Sequence, residues 1–226
     1  QAIWNINEQW ELTAGARYTD DQKEATQSNT YVHFVFGPVL NILSPAGVVL
    51  ASDFDDTEVS PEVTLTWRPN DDVTIWGAYK TGYKSGGFST NTVLSSSSTG
   101  ESLVFQPEDA EGFEFGLKST LADGRVRLNA TAYRYEFNDI QISVFDAATT
   151  SFSVDNAATA TTTGLEIETI YAATDGLTLR GQVGFNEGEY DDFPGAACSP
   201  TVDPQCDPVT GTRDLSGEPL TRAPEI

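Results

Sequence analysis

From Trp10 to Thr19 the chain alternates with a period of two: Trp10, Leu12, Ala14, Ala16 and Tyr18 on one parity, Glu11, Thr13, Gly15, Arg17 and Thr19 on the other. The pattern returns over residues 58–68, 73–84, 113–121, 125–132, 164–171 and 177–185, and no stretch shows a convincing period of 3.6. Side chains of a strand point alternately to the two faces of its sheet, so each segment predicts a strand with one apolar face. In all seven segments the apolar parity carries no charge. The opposite parity carries Glu62, Arg68, Lys80, Lys84, Glu114, Lys118, Glu166, Glu168 and Arg180, among others. One face therefore meets hydrocarbon and the other meets water. About eight strands and the beginning of a ninth are expected.

The connections alternate in length. Short turns are expected at Asn7–Gln9, Arg68–Asp72, Ala122–Gly124 and Thr174–Gly176, where Pro presets φ and Asp-Gly supplies a positive-φ residue. Between them lie long connections over roughly 26–57, 85–107, 145–157 and from 191 onward. Aromatic residues follow the same division. Trp10, Trp67 and Tyr171 stand on the apolar parity beside the short turns; Tyr18, Tyr83, Phe113 and Phe185 stand on it toward the long connections. Two aromatic rings around an aliphatic and small-residue middle fit the two interfaces of a bilayer. The expected fold is all-β, an antiparallel meander from a transmembrane β-barrel, with a soluble β-sandwich or solenoid as the competing reading. At Tyr133, Tyr135 and Phe137 the aromatic parity changes sides, which either a β-bulge or three inward-pointing rings would produce.

Composition narrows the functions. With 12 Lys+Arg against 34 Asp+Glu the net charge is −22, which argues against nucleic acid as a partner. No run of 18 apolar residues exists to form a spanning helix. The single histidine, His33, removes multi-histidine metal cages; it is weighed as a haem or iron ligand and read as packing or surface. Acidic clusters at Asp53, Asp55, Asp56 and Glu58, and at Glu187, Glu189, Asp191 and Asp192, are read as solvated loops rather than calcium sites. Glu166 and Glu168 share a strand face about 6.8 Å apart, a spacing open to glycosidase chemistry, and are read as lumen carboxylates. Cys198 and Cys206, in a Pro-rich stretch, are read as a disulfide formed outside the cytoplasm. No cofactor and no enzyme activity is expected.

Several segments resemble one family in order along the chain. Val59-Ser60-Pro61-Glu62-Val63-Thr64-Leu65-Thr66-Trp67-Arg68-Pro69, followed by Ala78-Tyr79-Lys80-Thr81-Gly82-Tyr83-Lys84-Ser85-Gly86-Gly87-Phe88, resembles the barrel of TonB-dependent outer-membrane receptors. Phe105-Gln106-Pro107-Glu108, Glu114-Phe115-Gly116-Leu117-Lys118, Gly164-Leu165-Glu166-Ile167-Glu168 and Leu215-Ser216-Gly217-Glu218-Pro219-Leu220 are similar again. The resemblance implies a 22-stranded barrel in the outer membrane, a plug domain inside it, and energy delivered by TonB. Residues 1–226 then read as a partial barrel domain, an internal fragment without plug or closing strands. The implied cargo is a ferric siderophore, haem, cobalamin or an oligosaccharide, with a ferric siderophore favoured. Outer-membrane lipid and lipopolysaccharide are the implied surroundings. Tyr83, Lys84, Phe88, Tyr133 and Tyr135 are the candidate ligand-facing residues. A passive porin, an adhesin-type structural protein and a carbohydrate-active enzyme are the alternatives.

Overall fold

The computed structural model describes residues 1–29, 48–94, 97–146, 151–198 and 201–220. Among the described residues twelve strands are formed: β1 (Ala2–Asn5), β2 (Trp10–Ser28), β3 (Val49–Asn70), β4 (Val73–Lys84), β5 (Gly87–Phe88), β6 (Val104–Phe105), β7 (Glu108–Leu121), β8 (Val126–Asp146), β9 (Ser151–Thr174), β10 (Leu177–Asp192), β11 (Ala196–Ala197) and β12 (Thr212–Arg213). Eight of them make one sheet in the order β1-β2-β3-β4-β7-β8-β9-β10, antiparallel throughout. The sheet is open, one contiguous stretch of barrel wall. The remaining strands form two small ribbons, β5 with β6 and β11 with β12. Beyond β10 an antiparallel bridge joins Glu189 to Pro219, and the Leu220 amide donates to the Gly188 carbonyl.

Each of the seven alternating segments lies in a strand of this sheet, with parity kept across neighbours. Trp10 stands opposite Trp67, Leu12 opposite Leu65, Ala14 opposite Val63 and Tyr18 opposite Val59. Tyr79 stands opposite Phe113. Leu65, Phe113, Leu179 and Phe185 are left exposed on this outward face. On this face the buried Ser119 hydroxyl donates to the Leu128 carbonyl at 3.2 Å. The eight steps from Trp10 to Tyr18 cover about 27 Å of strand, enough for an apolar band about 25 Å tall once the strand tilts.

The short turns are built by side chains. Asn7 Oδ1 accepts from the amides of Gln9 and Trp10, both at 2.9 Å, and Asn70 Oδ1 accepts from Asp72 at 3.0 Å. At Ala122-Asp123-Gly124 all three residues take positive φ, at 54°, 54° and 83°. The Asp175-Gly176 turn corrects the expectation. Gly176 has no positive φ there, and its amide donates to the Thr174 hydroxyl instead.

The long connections differ more from expectation. Strand β2 runs on to Ser28 and β3 begins at Val49; β8 runs to Asp146 and β9 begins at Ser151. Much of 26–57 and most of 145–157 is therefore ladder rather than loop. Above the apolar band both faces of these hairpins meet polar surroundings, so no alternation marks them, while backbone pairing continues because it satisfies every N–H and C=O. His33 lies outside the described residues. The parity change at Tyr133 is not a bulge: β8 keeps register with β7 from Val126 to Asn138, and its first irregularity against β9 comes after Phe137. Tyr133 and Tyr135 sit on the polar face, and Arg134 and Glu136, paired at 3.1 Å, take the outward positions.

Candidate functional site

On the polar face, charges meet neighbours of opposite sign across the strands. Glu62 lies opposite Lys80 in the register. Glu114 binds Lys80 Nζ at 2.7 Å with one oxygen and accepts the Tyr135 hydroxyl at 2.6 Å with the other. Arg68 pairs with Glu11 at 3.3 Å, and Lys84 with Glu108 at 2.9 Å. By register this face carries Glu11, Asp21, Asp56, Glu58, Glu62, Glu108, Glu114, Glu166 and Glu168 against Arg17, Lys23, Arg68, Lys80, Lys84, Lys118, Arg127 and Arg180. It is close to neutral. The chain's −22 resides elsewhere, in turns, outer loops and the outward positions above Tyr18 and Phe113: Asp20, Glu24, Asp53, Asp55, Glu111, Glu187, Glu189 and Asp191.

Large rings on this face lie across glycines of the next strand. A Cβ on Gly116 would come within 1.9 Å of the Trp76 ring, one on Gly112 within 2.4 Å of Tyr135, and one on Gly164 within 2.3 Å of Tyr133. Each ring therefore takes the space that a side chain on the neighbouring glycine would need. Lys118 Nζ stands 5.4 Å from the Trp76 ring centre, a cation–π contact that fixes its stem along the wall. None of these joints was legible in the sequence, because glycine and ring belong to different strands and only the register brings them together.

At the end away from the short turns the sheet divides. Pairing of β3 with β4 stops at Glu62 opposite Lys80, although β3 continues back to Val49 against β2, and β4 continues to Lys84 against β7. Pro61 has no N–H to continue the ladder, and its carbonyl takes the Thr81 hydroxyl at 3.0 Å. A cavity of about 570 Å³ opens at this seam, lined by Arg17, Asp21, Ser60, Glu62, Tyr83 and Ser85 among others. The Tyr83 hydroxyl crosses the seam to Asp56 Oδ2 at 2.6 Å. Burial first, and this carboxylate second, push its pKa up to about 12. Asp109, facing Tyr83 in the register, is held above the ordinary carboxylate range by burial and by Glu58, Asp139 and Asp56.

The sequence-derived candidates fall into two groups. Tyr133 and Tyr135 sit together on the β8 wall, ring centres 6.3 Å apart, with Tyr133 donating to Asn186 at 3.1 Å. Tyr83 and Lys84 end β4 and Phe88 lies half-buried in β5, so these three mark the root of the β4–β7 connection. Tyr83 belongs to the seam and not to the aromatic ring of the outward face, where Tyr79 takes the place beside Phe113 with ring centres 5.1 Å apart. Cys198 and Cys206 are joined in a disulfide, Cα–Cα 5.8 Å. It clamps a loop where Arg213 reaches Asp203 at 2.8 Å, a bond that keeps the Asp203 carboxyl below its usual range. Glu168 accepts from Asn129 at 3.1 Å. The first acidic cluster divides between faces, Asp53 and Asp55 outward and Asp56 and Glu58 inward, the second lies mostly outward, and among the described residues no group of three or more His, Cys, Asp or Glu is placed to hold a metal.

Sequence reading missed Lys23, Gln141 and Asn156, which tie the outer segments together. Gln141 Nε2 donates to the carbonyls of Lys84, Ser85 and Gln106 at 3.4, 3.0 and 3.0 Å, and Asn156 Nδ2 to those of Gln106, Pro107 and Asp139 at 2.9, 3.1 and 2.8 Å. Isolated amides in polar strands carry no pattern that announces such a role.

The wall has counterparts among solved structures. The ferric yersiniabactin uptake receptor FyuA from Yersinia pestis superposes with a TM-score of 0.66 at 17% identity, over 83% of this chain and 26% of that one. The ferric-catecholate import receptor Fiu from E. coli K12 gives 0.60 at 15%, over 94% of this chain and 29% of that one. The copper transporter OprC gives 0.60 at 15%, over 83% and 28%. The chain thus spans between a quarter and a third of the length of these proteins. At such identities the likeness establishes the fold alone. The model of the family described as TonB dependent receptor-like, beta-barrel, matches residues 1–226, the whole chain, so an uncharged outward band, a polar inner wall and strands longer than that band belong here to a member of the TonB-dependent receptor β-barrel family, whose members are outer-membrane transporters rather than enzymes.

Proposed function

We propose that this chain is part of an outer-membrane receptor that captures a scarce nutrient, a ferric siderophore by preference, and imports it with energy from TonB, engaged through a plug domain outside residues 1–226. The observation that carries the reading is the division of one sheet into a lipid-compatible outward band and a polar wall opening into a cavity at the far end. Aromatic residues on the same wall, Tyr133 and Tyr135, and at its rim, Tyr83 and Phe88, offer π-surface to a planar chelate, and Lys84 offers charge. The wall's near-neutral balance is compatible with anionic cargo. FyuA and Fiu support iron; OprC keeps copper as the second reading.

On the outward side, the acidic positions above the aromatic ring fall at headgroup depth, where divalent cations that bridge lipopolysaccharide phosphates would neutralise them. The test is uptake of radiolabelled iron, offered as catecholate and as hydroxamate complexes, and of radiolabelled copper, by cells carrying the full receptor gene. TonB-dependent accumulation of one iron complex is the expected result. Uptake of copper alone would replace the cargo, and uptake that persists without TonB would overturn the reading in favour of a passive pore.

A further inference from the structure

The seam between β3 and β4 leaves two strand edges facing each other without a ladder. Along a strand, the N–H and C=O of one residue point to one neighbouring strand and those of the next residue to the other. In β3 the Arg68 amide donates to Gln9, on the β2 side, and the Pro61 carbonyl takes the Thr81 hydroxyl, on the β4 side. Odd residues of β3 therefore face β4. Val63 stands opposite Tyr79, so odd residues of β4 face β3 in turn. Pro61 has no N–H to offer the Thr81 carbonyl. Beyond it Thr57 and Val59 on one bank, and Tyr83 on the other, point their backbone groups into the gap, and the register gives none of them a partner across it.

The gap has bounds. Only side chains cross it, Thr81 to Pro61 and Tyr83 to Asp56. Farther out the β4–β7 connection closes it: the Gly86 carbonyl accepts from Lys23 at 2.7 Å and the Gly100 carbonyl from the Ser52 hydroxyl at 2.8 Å. Open space adjoins both banks. The 570 Å³ cavity touches Ser60, Thr81, Gly82 and Tyr83, and a second hollow of about 250 Å³ touches Glu58, Val59, Thr81 and Gly82. Val59 stands opposite Tyr18, at the height of the outer aromatic ring, where unpaired backbone groups are costly unless something satisfies them.

A row of backbone donors and acceptors is matched by another extended backbone, and strand addition to an open edge is how folded proteins bind such segments. We infer that the seam is a strand-addition site that takes one extended peptide segment carried by the cargo, paired with β3 at Thr57 and Val59. The four steps from Thr57 to Pro61 cover about 14 Å, the length of a tetrapeptide. Charge agrees. Arg17, which lines the cavity, makes no hydrogen bond or ion pair among the described residues, so its guanidinium is free for a carboxylate of the incoming peptide. This deepens the receptor reading above and rests on it: the cargo is a peptide-bearing chelate.

The test uses the full receptor, solubilised in detergent, with radiolabelled acetyl-tetraalanine and a twin methylated on its amide nitrogens as probes, read by equilibrium dialysis. The first should bind saturably. The twin lacks the N–H donors and should bind about tenfold more weakly, the worth of one such bond. Pro61→Ala returns an N–H to the Thr81 carbonyl, lets the ladder close, and should weaken the first probe to a similar degree. Arg17→Met should weaken the free acid and leave its C-terminal amide unaffected. Equal binding of the twin, or no saturable binding of either probe, overturns the strand site. In intact cells, excess acetyl-tetraalanine should slow accumulation of the iron complex that the unsubstituted receptor imports. Peptide binding without that competition overturns the assignment to cargo. Peptide binding by a receptor that accumulates no metal complex sinks the receptor reading alone.

Discussion

Strands β2 and β3 contain two different proteins end to end. From Trp10 to Tyr18, opposite Trp67 to Val59, outward side chains are apolar and uncharged while inward ones include Glu11, Arg17 and Glu62. From Asp20 to Ser28, opposite Thr57 to Val49, both faces are polar, yet the ladder continues without a break. The backbone makes no distinction between the halves; the surroundings do. In the first half two solvents select side chains by face. In the second half water lies outside and other segments of the chain lie inside, so burial is confined to small patches. Phe54, Leu94 and Leu103 are buried there, and a cluster gathers Ala158, Ala160, Tyr190, Phe193 and Ala196.

The largest effect should come from charging the outward face of the first half. Leu65→Arg places a cation near the middle of the apolar band and should cost about 2–4 kcal/mol of membrane stability. Thr64→Arg, one residue away on the polar face, should assemble normally. Heat-modifiable gel mobility of the full receptor reads both, and equal effects would erase the distinction between faces.

In the outer segments, Cys198→Ser should release a clamp worth roughly 2–3 kcal/mol by the entropy of a loop this short. The effect should stay local: added protease should cut the 198–213 region faster on intact cells while barrel mobility is unchanged. Loss of the barrel itself would show that the outer segments and the wall fold as one unit.

Gly116→Val tests the inner joints, since its side chain would occupy the Trp76 ring position. Overpacking of this kind costs about 1–3 kcal/mol. A red shift of tryptophan emission should accompany it as the ring swings into the lumen. Gly77→Ala, whose added carbon would meet nothing nearer than 4.0 Å, should be silent.

The smallest effect concerns the seam. A carboxyl with a raised pKa disfavours its charged form in the folded protein, so Asp109 strains the seam at neutral pH, and the strain is relieved as pH falls through that raised value. Asp109→Asn should therefore close the seam slightly at neutral pH and flatten its pH dependence just above the ordinary aspartate range. Spin labels at Val59 and Thr81 would report the distance, and a pH response unchanged in Asp109→Asn would assign it to another group.

These contrasts also explain what could be read from the residues beforehand. The strands of the apolar band were legible because Leu12, Leu65, Leu117 and Leu179 face a different medium from Glu11, Thr64, Lys118 and Arg180. The hairpin extensions were not, because Gln22, Asp55, Ser153 and Thr159 alternate without contrast. The inner face of Tyr133 and Tyr135 was one of two open possibilities, and the unbroken register with β7 decided it. The neutrality of the wall was hidden by the net charge, which sums over turns and outer positions that never meet the lumen. The fastenings of the β4–β7 connection were invisible for a further reason: they run from side chain to carbonyl, and a carbonyl acceptor leaves no mark on the sequence.

The claim on which all of this depends is orientation: short turns at the periplasmic rim, the β4–β7 connection outside. It is tested most directly by single cysteines in the full receptor on intact cells, with a small, charged, membrane-impermeant maleimide. Ser97→Cys should label at once, and Asp123→Cys, in the tight turn between β7 and β8, only after the outer membrane is permeabilised. Immediate labelling of Asp123→Cys with a silent Ser97→Cys would invert the wall and place the cavity and the candidate ligand-facing residues on the wrong side of the membrane.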